Sequence, residues 1–549
     1  MMQISIYAKN GSLLLDSVTE ESIRISGDLL KKSSGLLKIK TFVPVKELTS
    51  VWHSDLSAMP PMKLPWAESF SCGATKSFPL LCFLDQRASV SASLGLTDMI
   101  DDCTVTAKMN QESCAYEVTF SIVISPETEE FEVFIYVPAP GKKLPLAEVL
   151  SLYRKTVIPV IPAYPENAWK SVYGTWYAVH AALTDEYMLN NAREASGLGF
   201  GTFIVDDGWC FEEAKRVTPE TLPDWYRDIG DWEYSEKKLP CLKENIKKIR
   251  EYGLTCLFWV APFFCGRRSK LAGMAKEYLT DLHEGQRIYD VKESSVTEKV
   301  VESICSVYKE LDLDGLKIDF IDTVLPNPEK PRCRIAYTAV KDLIDRVKTH
   351  KKEALFEFRQ RYATPLMASL ATAFRAGDVP FDYMENFSRC VQIRLLMGDR
   401  IPVHADPVYF NREETLEAVG RHLIAALAGV PMVSMELNSI REEHKKVIKN
   451  YLAFYRENQH ILNMGHWEFD FHNNFASSAS CTLENEKIVI LADSSVFEKV
   501  LKDFSGNITI LNMTMDQIFS PAGRNFDALG ANSINSQILP SGGKTVIKK

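Results

Sequence analysis

The chain lacks the marks of several large protein classes. None of its 12 cysteines stands in a Cys-x-x-Cys pair and several lie inside apolar runs, for example Cys82, Cys256 and Cys305; buried free thiols are therefore expected rather than disulfides. No run of 18 apolar residues occurs, so nothing is expected to span a membrane. No Lys/Arg stripe offsets a formal net charge of -9, which argues against nucleic acid as a partner. Lys-rich spots such as Lys247-Lys248 and Lys351-Lys352 read as solvated helix faces. The N-terminus, Met1-Met2-Gln3-Ile4-Ser5-Ile6-Tyr7-Ala8-Lys9, alternates like a strand and has no apolar h-region, so a cytoplasmic location is expected. In that setting the glycosylation-type triplets at Asn507 and Asn512 carry no meaning. No segment is low in complexity and no solenoid repeat is visible.

What is present is an ordinary globular composition, 46% hydrophobic and 25% charged over 549 residues. That length is too great for one core and suggests about two to four domains. Residues 1–145 read as short β-like segments with turn residues between them, among them Leu37–Phe42, Phe78–Phe83, Tyr116–Ile124 and Phe131–Val137. No long helical period interrupts them, so an antiparallel β-sandwich is expected. A helical linker follows within 146–164, at Leu146–Val157.

From 165 to 460 the pattern becomes strand, loop, helix, repeated. Candidate strands are Ser171–Tyr177, Gly201–Asp206, Thr255–Val260, Gly315–Asp319, Ala354–Phe358, Thr372–Ala376, Ile401–His404 and Met432–Met435, with amphipathic segments between them. Eight such units fit a (β/α)8 barrel better than an open doubly wound sheet, because no glycine-rich phosphate turn follows any strand. Residues 461–549 return to short strands and read as a small C-terminal β-domain. The expected whole is a multidomain α/β protein with a central TIM barrel.

In a barrel, chemistry sits at the C-terminal strand ends. Strand four ends Lys317-Ile318-Asp319, a cation and a carboxylate on one face, as a nucleophile with a hydroxyl-binding neighbour would need. Strand two ends Asp206-Asp207-Gly208-Trp209, two adjacent acids suited to accept vicinal hydroxyls, beside an indole suited to stack on a sugar. Strand six ends Arg375-Ala376-Gly377-Asp378, where Arg375 could bind a hydroxyl or keep a carboxylate ionised; Asp382 is the better cap for the helix near Tyr383, which leaves Asp378 free to face Asp319 across the mouth. Paired carboxylates across a mouth are the equipment of glycoside cleavage. Four of the 9 tryptophans (Trp176, Trp209, Trp232, Trp259) fall at or near strand ends, which favours a stacking surface. His404 and Asp406 could form half a metal site, but no cluster with ligand spacing accompanies them, so no metal and no cofactor are expected. The set from Glu357 to Tyr362 is polar, but spacing does not fix which of its members face inward.

Assembled, these residues resemble the α-galactosidase clan of glycoside hydrolases, specifically family 36. The motifs are Thr175-Trp176-Tyr177, Asp206-Asp207-Gly208-Trp209, Gly230-Asp231-Trp232, Trp259-Val260-Ala261-Pro262, Lys317-Ile318-Asp319 and Arg375-Ala376-Gly377-Asp378. The resemblance implies Asp319 as nucleophile and Asp378 as acid/base of a retaining α-galactosidase. It further implies Asp206 and Asp207 at the O4/O6 side of the sugar, Lys317 and Arg375 nearer the anomeric carbon, and Trp176 as a wall. Trp209 and Trp259 complete the expected substrate-binding set. The chain departs from the family in having Val172-Tyr173 before strand one's motif. It also has Phe358-Arg359-Gln360-Arg361-Tyr362 where a glycine-rich loop that reads the sugar's 2-substituent is usual. Rival expectations are an α-N-acetylgalactosaminidase, another α-glycosidase, a raffinose-synthase-like transglycosylase, or a sugar-binding barrel without catalysis. The expected partner is an oligosaccharide or glycoside; homo-oligomer formation stays open.

Overall fold

In a computed structural model, residues 1–549 are described apart from 21, 58, 140, 158–161, 212–215, 222–225, 284, 285, 503 and 549. The N-terminal strands form two antiparallel sheets. One runs, in spatial order, Leu13–Thr19, Met2–Ala8, Leu36–Pro44, Ala115–Val123, Cys103–Asn110 and Ala67–Cys72; the other runs Ile23–Ser26, Glu130–Tyr136, Val90–Leu96, Leu80–Leu84 and Ser50–His53. Alternation decides which side faces in: Met2, Ile4, Ile6 and Ala8 of the first strand are buried while the residues between them are less so. Ile6, Ile39, Phe120, Leu94 and Val133 meet in the layer between the sheets. The helix Leu146–Val157 follows with the expected bounds. It buries Leu146, Val149, Leu150 and Tyr153, the spacing of one helical face, and the Tyr153 hydroxyl donates to the Leu96 carbonyl at 2.5 Å.

The barrel strands are β1 (Val172–Gly174), β2 (Thr202–Val205), β3 (Thr255–Val260), β4 (Gly315–Ile318), β5 (Leu355–Arg359), β6 (Ala373–Arg375), β7 (Val403–His404) and β8 (Met432–Val433). They pair in parallel in that order, and β8 returns to β1. The ring closes through Ala405, whose N–H donates to the Val430 carbonyl at 3.0 Å. Nearly every strand residue is buried, as strands packed on both faces require. Strand β7 starts later than expected, at Val403, because Pro402 directly precedes it and offers no N–H to the ladder, while β8 starts as expected at Met432 and ends at Val433. The alternating helices are present, and Thr184, Thr415 and Asp382 cap three of them by accepting from Tyr187, Ala418 and Glu385 N–H. A hairpin, Tyr278–His283 with Gln286–Tyr289, follows β3 where no strand was expected. The six-stranded C-terminal sheet begins at His466–His472, after the long helix Glu442–Met464.

The sandwich docks on the barrel's upper rim. Asp102 accepts from the backbone of Asn327, Arg332 and Cys333 at 2.8, 3.0 and 3.0 Å, and Arg334 pairs with Asp101 at 2.8 Å. Nearer the mouth, Gln360 donates to the Ser57 carbonyl at 2.9 Å and Ser77 N–H donates to the Arg361 carbonyl at 2.9 Å. No helix among the described residues is long and apolar enough to cross a membrane.

Candidate active site

The strand ends converge as the barrel geometry demands. Asp319 follows β4, and its N–H donates to the Val260 carbonyl at 2.8 Å, continuing the ladder to β3. Its carboxylate accepts the Trp259 indole N–H at 3.1 Å on one oxygen and the Phe320 N–H at 2.9 Å on the other. Phe320 holds a left-handed φ of 57°, an uncommon state for a bulky residue, and this turn aims its N–H at Asp319. Lys317, two residues earlier, lies 3.9 Å from the same carboxylate but makes its short contact, 2.6 Å, with Asp206 at the end of β2. Asp206 is oriented in turn by its own N–H, which donates to Thr175 Oγ1 at 3.0 Å, and by accepting the Asp207 N–H at 3.0 Å. Gly208 turns the chain away with φ 107°; a Cβ there would lie 2.6 Å from the Ala181 backbone.

Asp378, beyond β6, has 48% of its side chain exposed and is gripped by two guanidiniums. Arg375 reaches one oxygen at 2.9 Å and Arg359 the other at 2.8 Å. Arg359 also contacts Asp319 at 3.2 Å, so one guanidinium spans both candidate catalytic carboxylates. It lies over the Phe320 ring, 4.9 Å from the centroid. Desolvation would raise the Asp378 carboxyl, but Arg359, then Arg375 and Lys317, outweigh it and hold the group well below the usual carboxylate range.

Arg375 is itself buried and fixed from behind. It pairs with Asp406 at 2.5 Å and lies 3.6 Å from Glu357. Asp406 also accepts from the Tyr177 hydroxyl at 3.0 Å and the Val379 N–H at 2.7 Å. Burial pushes the Asp406 carboxyl up to about 7, against the pull of Arg375. His404 contacts Glu357 at 2.5 Å through Nδ1 and the Ala168 carbonyl at 3.1 Å through Nε2. His404 and Asp406 are thus engaged with different partners, as struts of the mouth, and among the described residues no group of three or more His, Cys, Asp or Glu side chains could hold a metal.

Asp206, Asp207, Lys317, Asp319, Arg375 and Asp378 therefore gather at one mouth. Trp176 sits half-buried on a short turn after β1, its ring 4.9 Å from that of His180. The expectation of a stacking surface built on Trp209 is corrected: Trp209 is fully buried and donates its indole N–H to the Trp259 carbonyl at 2.9 Å. Trp259 is also buried, so these rings brace Asp319 from behind, with Trp232 packed against both at 6.3 and 5.9 Å. A large aromatic in a tight turn serves packing as readily as recognition, and sequence cannot tell the two apart. Two elements of the mouth escaped the sequence reading. Arg359 was one of several polar residues of unknown facing, although its period of two with Glu357 was a signal. Segment 54–57 of the sandwich carried no local signal at all, yet Asp55 and Ser57 line a 260 Å³ cleft with Arg359, Arg361, Gly377, Asp378 and Arg389.

Comparison with known proteins gives a consistent picture. Residues 145–358 match the Melibiase family model. The α-galactosidase AgaA of Geobacillus stearothermophilus is 22% identical over 339 residues, 55% of this chain and 43% of that protein. The α-galactosidase of Escherichia coli is 26% identical over 132 residues, 24% of this chain and 17% of that one. The chain thus spans less than half the length of these curated relatives. Among solved structures, AgaA with 1-deoxygalactonojirimycin superposes with a TM-score of 0.61 at 13% identity, covering 87% of this chain and 78% of that chain. TtGalA, the Thermus thermophilus α-galactosidase with p-nitrophenyl α-D-galactopyranoside, gives 0.54 at 18% identity and covers 82% and 92%. These matches bear out the resemblance to family 36 drawn from the strand-end motifs, and the structural likeness extends to the barrel with its flanking β-sheets.

Proposed function

We infer, from a Melibiase domain over residues 145–358 in a family-36-like barrel, that this chain is a retaining α-glycosidase and most simply an α-galactosidase acting on terminal α-galactosyl groups of oligosaccharides. Variants of AgaA were captured with raffinose and with stachyose, which supports that substrate class here.

The observation that carries the reading is the single guanidinium of Arg359 within 3.2 Å of Asp319 and 2.8 Å of Asp378. One planar cation that reaches both carboxylates keeps them within about 8 Å of each other, on the scale of the paired carboxylates of glycosidases, and the family resemblance supports the double-displacement form. In the first step an Asp319 oxygen bonds to the anomeric carbon while the glycosidic C–O bond breaks and Asp378 gives its proton to the departing oxygen. In the second, water attacks the glycosyl ester, Asp378 takes the water's proton, and Asp319 leaves as carboxylate. The Trp259 indole and Phe320 N–H fix the orientation of the Asp319 carboxyl group. Asp206 and Lys317, already paired at 2.6 Å, offer a preorganised acceptor and donor for sugar hydroxyls.

The free state of all 12 cysteines, most of them buried, supports a cytoplasmic home for the enzyme. The deciding test is hydrolysis of nitrophenyl α- and β-glycosides with the released anomer followed by NMR, on the native chain and on Asp319→Gly. Release of α-galactose by the native chain and its loss in a folded Asp319→Gly variant is the expected result. An active, folded Asp319→Gly variant would sink the assignment.

A further inference from the structure

Asp378 must carry a proton to serve as general acid, yet it sits as a carboxylate between Arg359 and Arg375. One of these cations has to let go. Arg375 is not free to move: its side chain is 2% exposed, and Asp406 grips it at 2.5 Å with Glu357 close behind. Arg359 is held by Asp319, Asp378 and the Phe320 face, is 18% exposed, and lines the cleft on the Asp378 side. That is the side on which a departing group would leave.

The cleft gathers three guanidiniums. Arg359, Arg361 and Arg389 line it against the carboxylates of Asp55 and Asp378, and Asp55 is already paired with Lys76 at 2.8 Å and accepts from the Ser77 hydroxyl at 3.1 Å. Arg361 is 59% exposed and approaches Asp322 only at 3.5 Å. Arg389 is tied to Glu385 through Nε at 2.9 Å, while its Nη1 donates to the Asp378 carbonyl at 3.3 Å. Forked guanidiniums arranged around a pocket match the oxygens of a phosphate or carboxylate far better than they match hydroxyls.

Resting on the glycosidase reading above, we propose that this cleft receives an anionic leaving group, a phosphate or carboxylate carried by the aglycone, and that Arg359 turns from Asp378 to that anion when it binds. The substrate then supplies the counter-charge that frees Asp378 to hold a proton. Specificity and catalysis are coupled through one side chain: a neutral aglycone leaves Arg359 on Asp378, so a smaller share of molecules carries the proton and turnover is slower, not absent.

The test uses two matched pairs on the full-length protein: α-galactosylglycerol against its glycerol 3-phosphate ester, and 4-nitrophenyl α-galactoside against its 3-carboxy derivative. The first pair reads phosphate and the second carboxylate. The expected result is a kcat/KM about tenfold or more higher for the charged member of at least one pair, compressed by added salt. Arg361→Gln and Arg389→Gln, checked for folding by thermal unfolding, are each expected to bring that ratio toward one. Equal kcat/KM within both pairs, or a ratio untouched by both substitutions, would overturn the anionic-aglycone proposal while leaving the α-galactosidase reading in place. No turnover of any of the four compounds by the folded protein would instead overturn the reading beneath it.

Discussion

Trp259 donates its indole N–H to Asp319 at 3.1 Å, and its own carbonyl accepts the indole N–H of Trp209 at 2.9 Å. Two buried tryptophans in series thus fix one oxygen of the candidate nucleophile. A hydrogen bond to a charged group contributes about 1.5–3 kcal/mol. Trp259→Phe keeps the packing and removes the donor, so kcat on nitrophenyl α-galactoside is expected to fall about 10- to 100-fold with little change in the thermal midpoint. A kcat within twofold of the native value would show that Phe320 N–H suffices.

Lys317 and Asp206 form a buried pair at 2.6 Å, with side chains 6% and 4% exposed. Removing one partner leaves a buried charge, which costs about 3–5 kcal/mol. Lys317→Met is expected to lower stability by that order in urea unfolding, and the double variant Lys317→Met, Asp206→Leu to recover part of it. Unchanged stability in the single variant would mean that water takes over the pairing with Asp206.

The contact of His404 with Glu357 at 2.5 Å makes a pH-dependent contribution. Burial works to raise the Glu357 carboxyl, but the hydrogen bond and charge of His404, with Lys317 and Arg375, bring it below its ordinary value. A carboxyl depressed in the folded state contributes stability that is present above its unfolded pKa of about 4.3 and is lost as pH falls through the folded value. His404→Gln is expected to cost about 3–5 kcal/mol at pH 7, and the difference between native and variant should narrow below about pH 4. A difference that stays constant from pH 3 to 7 would contradict the linkage.

Arg359 holds Asp378 ionised together with Arg375 and Lys317, while Asp406 opposes them from behind Arg375. Losing one cation raises a carboxyl pKa by about one unit or more. In Arg359→Gln the protonated acid should persist to higher pH, so the alkaline limb of kcat/KM on nitrophenyl α-galactoside is expected to move up by about one pH unit. A limb that stays in place, or moves down, would separate Arg359 from the ionisation of Asp378.

Much of the site was legible because barrel chemistry follows strand periodicity. Lys317 and Asp319 share a face by their spacing of two, and the capping role of Asp382 left Asp378 for other work, as its N–H acceptor geometry bears out. Trp209 was misread because an indole beside two acids looks the same in sequence whether it turns to solvent or to the core; the positive φ of Gly208 turned it inward.

The sequence by itself determined the alternation of strand and helix, the paired carboxylates and the cation beside them, since these depend on local period and residue type. Only the tertiary structure decided that one arginine from β5 bridges Asp319 and Asp378, that Arg375 is clamped by Asp406 and Glu357, and that a loop of the sandwich walls the mouth at Asp55 and Ser57. Those relations join residues tens to hundreds of positions apart, and their energies arise from burial and charge proximity that no local pattern records.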